Sequence, residues 1–191
     1  MAKKIVAANW KMNNDEYSSK SLAYEFLKLV NNQNNPNTLK ILCVPFPFLA
    51  TINLMCQGAE SVYVGAQNCS SFNKGAFTGE VSANMLQSLK IPYVIIGHSE
   101  RRELFFEKSE DLIKKVELAL ENNISPIFCC GEPLWITEKN NNILYVINQL
   151  AQKVFNLTDG ASLNANIELV KNNASLACKV ASSLIAEKSR L

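Results

Sequence analysis

The 191 residues are 48% hydrophobic and 19% charged, a globular composition long enough for one sizeable core and too apolar for a disordered chain. A net charge of +2 with no Lys/Arg block excludes nucleic acid and anionic membrane surfaces as implied partners, although one or two placed cations would suffice for an anionic metabolite. One His, six Cys without a C-x-x-C pair, no signal-like leader and no apolar run near the roughly 18 residues of a membrane span lead us to expect no metal site, buried free thiols and a reducing, cytoplasmic setting.

In chain order, short β-type runs alternate with helix-period segments. Strands are predicted at 4–10, 39–45, 61–67, 93–98, 126–130 and 167–170. Helices are predicted at 17–30, 49–56, 81–89, 109–121, 143–155 and 176–188, where apolar residues recur at helical spacing. The runs KIVAANW, KILCVP, YVIIGH and PIFCC are almost continuously hydrophobic, as strands of a parallel sheet covered on both faces are. Six βα units of this kind specify a parallel α/β fold, either doubly wound or a closed barrel, and periodicity does not choose between the two. The Asn-rich stretches 31–37 and 140–142 read as solvated turns. The loop 68–79, NCSSFNKGAFTG, is long for a βα connection, which marks it as a candidate binding surface.

Three segments carry candidate chemistry. At the end of the first strand, AANWKM places Asn9 and Lys11 on one side and Trp10 on the other, a pair able to grip an anion or, equally, a strand-end lysine in solvent. The only histidine, His98, leaves a buried strand just after a glycine in YVIIGHSERR, with Ser99 and Glu100 placed to cap a short helix. Backbone N–H groups and the positive end of a helix dipole favour a neutral imidazole there, which can polarise a carbonyl. The competing reading is a capped structural His with Arg101 and Arg102 in ion pairs. The third segment is GEPLW, where Glu132 sits on a sharp corner before Pro and could be a catalytic base.

Together AANWKMN, GAFTGEVSANML, YVIIGHSERR and PIFCCGE, in this order from Lys3 to about Phe155, resemble the triosephosphate isomerase family. The resemblance implies a (β/α)8 barrel that interconverts dihydroxyacetone phosphate and glyceraldehyde 3-phosphate through an enediolate, without a cofactor. That is the family's established chemistry, in glycolysis and gluconeogenesis, and not a derivation from these residues. Carried over by motif, Asn9 and Lys11 bind substrate, Lys11 neutralising phosphate and enediolate charge, and His98 is the neutral electrophile. Ser99 and Glu100 lie beside the reacting centre, and Cys129 and Glu132 support it from behind. A homodimer is also implied, with the loop 68–79 reaching into its partner and Phe72, Thr78 and Glu80 at the interface.

The pattern then breaks. The family's base is a Glu-Pro after the sixth strand, followed by a Gly-rich lid, whereas the run at 167–170 leads into Lys171, Asn172 and Asn173. Glu168 lies inside that run, and Glu80 and Glu107 fall on structural positions. Glu132 ends the fifth strand, one strand too early for the base. The family's last two strand ends are not found, and GASL at 160–163 stands out of order. The expectation is therefore one domain over 1–191, an incomplete barrel of about six βα units, inactive as it stands. Two alternatives are a non-catalytic truncated homologue acting only as a dimer partner and a different barrel enzyme on sugar phosphates, the latter disfavoured by HSERR with AANWKM.

Overall fold

The computed structural model describes residues 4–32 and 37–130. The strand at 167–170, the helices at 143–155 and 176–188, the turn at 140–142 and Glu132 lie outside the described residues. The described elements are β1 Lys4–Asn9, α1 Glu16–Asn32, β2 Thr38–Val44, a 3-10 turn Phe46–Phe48, α2 Leu49–Cys56, β3 Val62–Ala66, α3 Ala83–Ser88, β4 Tyr93–Ile96, α4 Ser99–Leu104, α5 Ser109–Glu121 and β5 Ser125–Phe128. They fall within a unit spanning Met1–Cys130.

Each strand pairs in parallel with the next, in the order β1-β2-β3-β4-β5. That order decides what periodicity left open. A doubly wound sheet reverses its strand order at a switch point and carries helices on both faces. Here the order never reverses, and the helices share one face: Ala23 of α1, Ile52 of α2, Leu86 of α3 and Val116 of α5 all pack with Leu42, Val64 and Ile96 of the strands. The other face is lined by Ile41, Cys43 and Ile95, with Leu39, Tyr93, Ile127 and Cys129 against them. The described sheet is an incomplete α/β barrel.

Local chemistry explains where the elements start and stop. Asp15 and Ser18 bond reciprocally ahead of α1, Ser18 N to Asp15 Oδ1 at 2.7 Å and Asp15 N to Ser18 Oγ at 2.8 Å, which satisfies two donors at the helix start. Ser82 caps α3 by accepting from Met85 N. The helices α3 and α5 end alike. Lys90 and Asn123 adopt left-handed backbone, φ 58° and 57°, and the following Ile91 and Ile124 donate back to Leu86 O and Ala119 O. Both isoleucines are buried, so each turn also seats an apolar anchor ahead of the next strand.

All five strands end one or two residues before the predicted runs do, and two of these ends bear on the site. The first ends at Asn9 instead of Trp10, and the fourth ends at Ile96 instead of His98. The causes are Lys11 and Gly97, both left-handed, at φ 57° and 73°. At Gly97 the left-handed backbone favours glycine, and a Cβ would in addition lie 2.8 Å from Arg102 Nη2 and 3.2 Å from Leu112 Cδ1, displacing those side chains. The chemistry-bearing residues therefore sit just past the strands, on turns held by the sheet.

Candidate active site

The ends of β1 and β4 bring Lys11 and His98 together. Lys11 Nζ lies 3.0 Å from His98 Nε2 and donates to Glu100 Oε1 at 2.8 Å. The lysine backbone is held on both sides. Its N–H donates to Asn9 Oδ1 at 3.0 Å, and its carbonyl accepts from Gln67 Nε2 at 2.9 Å. Asn9 and Lys11, paired by strand alternation in the sequence reading, thus meet through a side chain gripping a backbone.

His98 is the cap of α4: its Nδ1 accepts from Glu100 N at 3.2 Å. This differs from the expected cap at Ser99, which is instead the first residue of the helix. The imidazole reaches the N–H two residues ahead without leaving its own turn, so no hydroxyl is needed. An acceptor at Nδ1 puts the proton of the neutral ring on Nε2, on the side of Lys11. There the ammonium and the Nε2 proton are both donors, a clash relieved when a carbonyl oxygen enters between them. The opposite tautomer would accept Lys11 at Nε2 and aim Nδ1–H at Glu100 Oε2, 3.4 Å away. Lys11 lowers the Glu100 carboxyl below the ordinary carboxylate range, chiefly through its hydrogen bond. The lysine and glutamate side chains are 40% and 53% exposed, so a small anion can reach them from solvent.

Behind the pair, Arg102 joins two strand ends. Its Nε donates to Gly97 O at 2.7 Å and its Nη2 to Cys129 O at 3.0 Å, with its guanidinium over the Phe128 ring. Cys129 thus meets this framework through its carbonyl. Burial pushes its thiol up, helped by Cys130 and opposed by Arg102 and Lys11, so the thiol stays protonated. Arg101 takes a different route, to Glu107, which also binds the buried Lys115, and Lys115 Nζ donates to Asn68 Oδ1 at 2.9 Å. Both arginines therefore brace the turn, one by an ion pair and one by backbone carbonyls.

In the loop 68–79, Asn68 and Ser70 are buried and Ser70 N donates to Val81 O, closing the base. The tip carries a stacked pair, Phe72 and Phe77, with centroids 3.9 Å apart and both rings exposed. Thr78 and Glu80 are exposed beside it. Among the described residues, no hydrogen bond or ion pair joins Phe72, Thr78 or Glu80 to Lys11, His98 or Glu100.

The geometry is that of a cation and an imidazole nitrogen facing one point, and the family comparison agrees with it. The triosephosphate isomerase family model matches residues 4–168. The chain belongs to the triosephosphate isomerase family. It is 41% identical to the triosephosphate isomerase of Cytophaga hutchinsonii over 158 residues, 83% of this chain and 62% of that one. To the triosephosphate isomerase of Mycoplasma capricolum it is 47% identical over 152 residues, 78% of this chain and 58% of that one, and to that of Bacteroides fragilis 46% over 158 residues, again 83% and 62%. The chain thus spans about three fifths of the length of these triosephosphate isomerases.

Residue-by-residue reading missed Gln67, the tie of Arg102 and the Lys115 cluster. Two of these left signals. Gln67 is a polar residue ending a buried strand run, and Lys115 stands on the inward stripe of α5 with Leu112, Val116 and Ala119. A lysine at such a position is buried only when paired.

Proposed function

We propose that the described residues form the anion-binding and electrophilic half of a triosephosphate isomerase site. Lys11 neutralises phosphate and enediolate charge, Asn9 holds the lysine turn, and the Nε2 proton of neutral His98 polarises the substrate carbonyl. Glu100 occupies Lys11 until an anion draws it away. The observation that carries this reading is the convergence of Lys11 with His98 and Glu100, 87 and 89 residues further on, at 3.0 Å and 2.8 Å from its ammonium. The activity of the whole protein would be interconversion of dihydroxyacetone phosphate and glyceraldehyde 3-phosphate, with a homodimer formed through the loop 68–79.

The 191-residue chain itself is proposed to turn over no substrate. Lys171, Asn172 and Asn173 stand where the family reading calls for a Glu-Pro base and its lid. General-base removal typically costs about 10² to 10⁴ in rate. The test pairs an isomerase assay with binding of dihydroxyacetone phosphate to the 191-residue chain and to Lys11→Met. Binding that Lys11→Met abolishes, without turnover, is the expected result. Turnover lost in His98→Ala would show that another group serves as base, and binding indifferent to Lys11 would overturn the site. A second reading, a non-catalytic chain acting only as a dimer partner, is favoured by the exposed Phe72–Phe77 stack; it predicts no binding of the triose phosphate at all.

A further inference from the structure

Lys11 carries an L side chain at φ 57°, a conformation that such residues adopt only when their surroundings hold them there. What holds it is the side chain of the residue just past the third strand. Gln67 Nε2 donates both of its protons, one to Lys11 O at 2.9 Å and one to Cys43 O at 3.1 Å. The orientation of this carboxamide is determined by its partners, since the flipped form would set Oε1 against two carbonyl oxygens. One amide thereby ties the turn after β1 to the end of β2, from the end of β3. Asn9 supplies the complementary bond to the Lys11 N–H.

Gln67 is itself braced. The next residue, Asn68, accepts from the buried Lys115, whose ammonium also binds Glu107, which in turn binds Arg101 in α4. Glu100 lies one residue before Arg101 and accepts from Lys11 Nζ. The bonds close a ring: Lys11, Gln67 and Asn68, Lys115, Glu107, Arg101, Glu100 and back to Lys11. A lysine on a four-carbon stem has no preferred aim of its own. Here the direction comes from the backbone, and the backbone from Gln67.

We propose that Gln67 is a positioning residue for Lys11: its bifurcated amide fixes the left-handed lysine turn and so aims the ammonium at the point that Nε2 of His98 faces. This rests on the reading of Lys11 as the anion-binding group, and the test separates the two. Gln67→Leu keeps the volume and removes both donors, and Gln67→Asn keeps the donors on a shorter stem should the leucine variant fold poorly. The Glu100 carboxyl, followed by carbon NMR against pH and assigned with Glu100→Gln, reports whether Lys11 is on it, since the hydrogen bond from Lys11 is the main cause of its lowered value. Lys11→Met defines complete loss, and Ser82→Ala, which removes the cap of α3, is a control that weakens the fold outside this ring.

The expected result is that Gln67→Leu moves the Glu100 midpoint up toward its ordinary value, as Lys11→Met does, and weakens inorganic phosphate binding on the order of tenfold, because small misplacements of a positioning group cost that much or more. Ser82→Ala should lower the melting temperature with Glu100 unmoved. A Glu100 midpoint unchanged in Gln67→Leu or Gln67→Asn, while Lys11→Met moves it, overturns the inference and leaves the function reading standing. Movement in Gln67→Leu together with phosphate binding indifferent to Lys11→Met supports the positioning role and overturns the anion-binding one.

Discussion

At Lys11, Glu100 and His98 the physical argument is one of donors and acceptors. The site pairs a cation with a carboxylate and places an imidazole nitrogen beside that cation, the arrangement proposed to meet an incoming oxyanion or carbonyl. The cysteines behave in the opposite way. Burial pushes the Cys43 thiol up to about 12 and those of Cys56 and Cys69 up to about 11, so all three stay protonated in the fold. The sign follows directly. An exposed thiol in the unfolded chain ionises near its ordinary value of 9.0 while the folded thiol keeps its proton, so these groups contribute stability below about pH 9 and lose it as pH rises toward 11 to 12. Urea denaturation between pH 8 and 11 should show falling stability, and Cys43→Ser should flatten that fall. The expectation of buried free thiols holds for Cys43, Cys56 and Cys69, whereas Cys129 and Cys130 are half-buried, since burial depends on what crosses the strand.

For the elements, the turn after β4 is the most constrained piece. Gly97→Ala adds a Cβ to a left-handed position already crowded by Arg102 and Leu112, and is expected to cost about 1–3 kcal/mol. Since His98 follows immediately, the His98 ring signals in NMR should move as well, whereas a loss of stability with an unchanged ring environment would detach the glycine from the site. The helix α5 contributes the second constraint. Lys115→Met leaves Glu107, one of whose oxygens already lacks a hydrogen-bond partner, with Arg101 as its remaining ion-pair partner. Breaking a buried pair this way costs about 3–5 kcal/mol, measurable by chemical denaturation. Helix positions read well from the sequence: 49–56 and 109–121 match α2 and α5 end to end, because an amphipathic stripe is a local property. Strand ends read less well. Hydrophobic runs extend through Trp10 and up to His98, but the left-handed turns that end β1 and β4 depend on Gln67, 56 residues from Lys11, and on side chains packed beside Gly97, which a hydrophobic run does not register.

For the molecule as a whole, the loop 68–79 offers the feature that bears on assembly. Its aromatic tip is exposed while its base is buried and bonded, which suits a preformed projection better than a mobile connection. If the chain pairs through it, sedimentation equilibrium should find a dimer that Phe72→Ser or Thr78→Arg shifts toward monomer by at least tenfold in dissociation constant, since truncating one central aromatic anchor typically costs about 2 kcal/mol or more. An unchanged dissociation constant would move the interface elsewhere. Family membership was readable from four short motifs, and the βα alternation alone fixed a parallel α/β class, because both are written in the order and polarity of neighbouring residues. Only the tertiary structure chose an incomplete barrel over a doubly wound sheet, since strand order and the side on which helices lie are relations between distant segments. It alone also turned Asn9, Lys11, Gln67, His98 and Glu100 into one site. Their convergence depends on the parallel register, which sets Asn9 opposite Cys43, Cys43 opposite Gly65 and Gly65 opposite Tyr93, a relation that no local pattern carries.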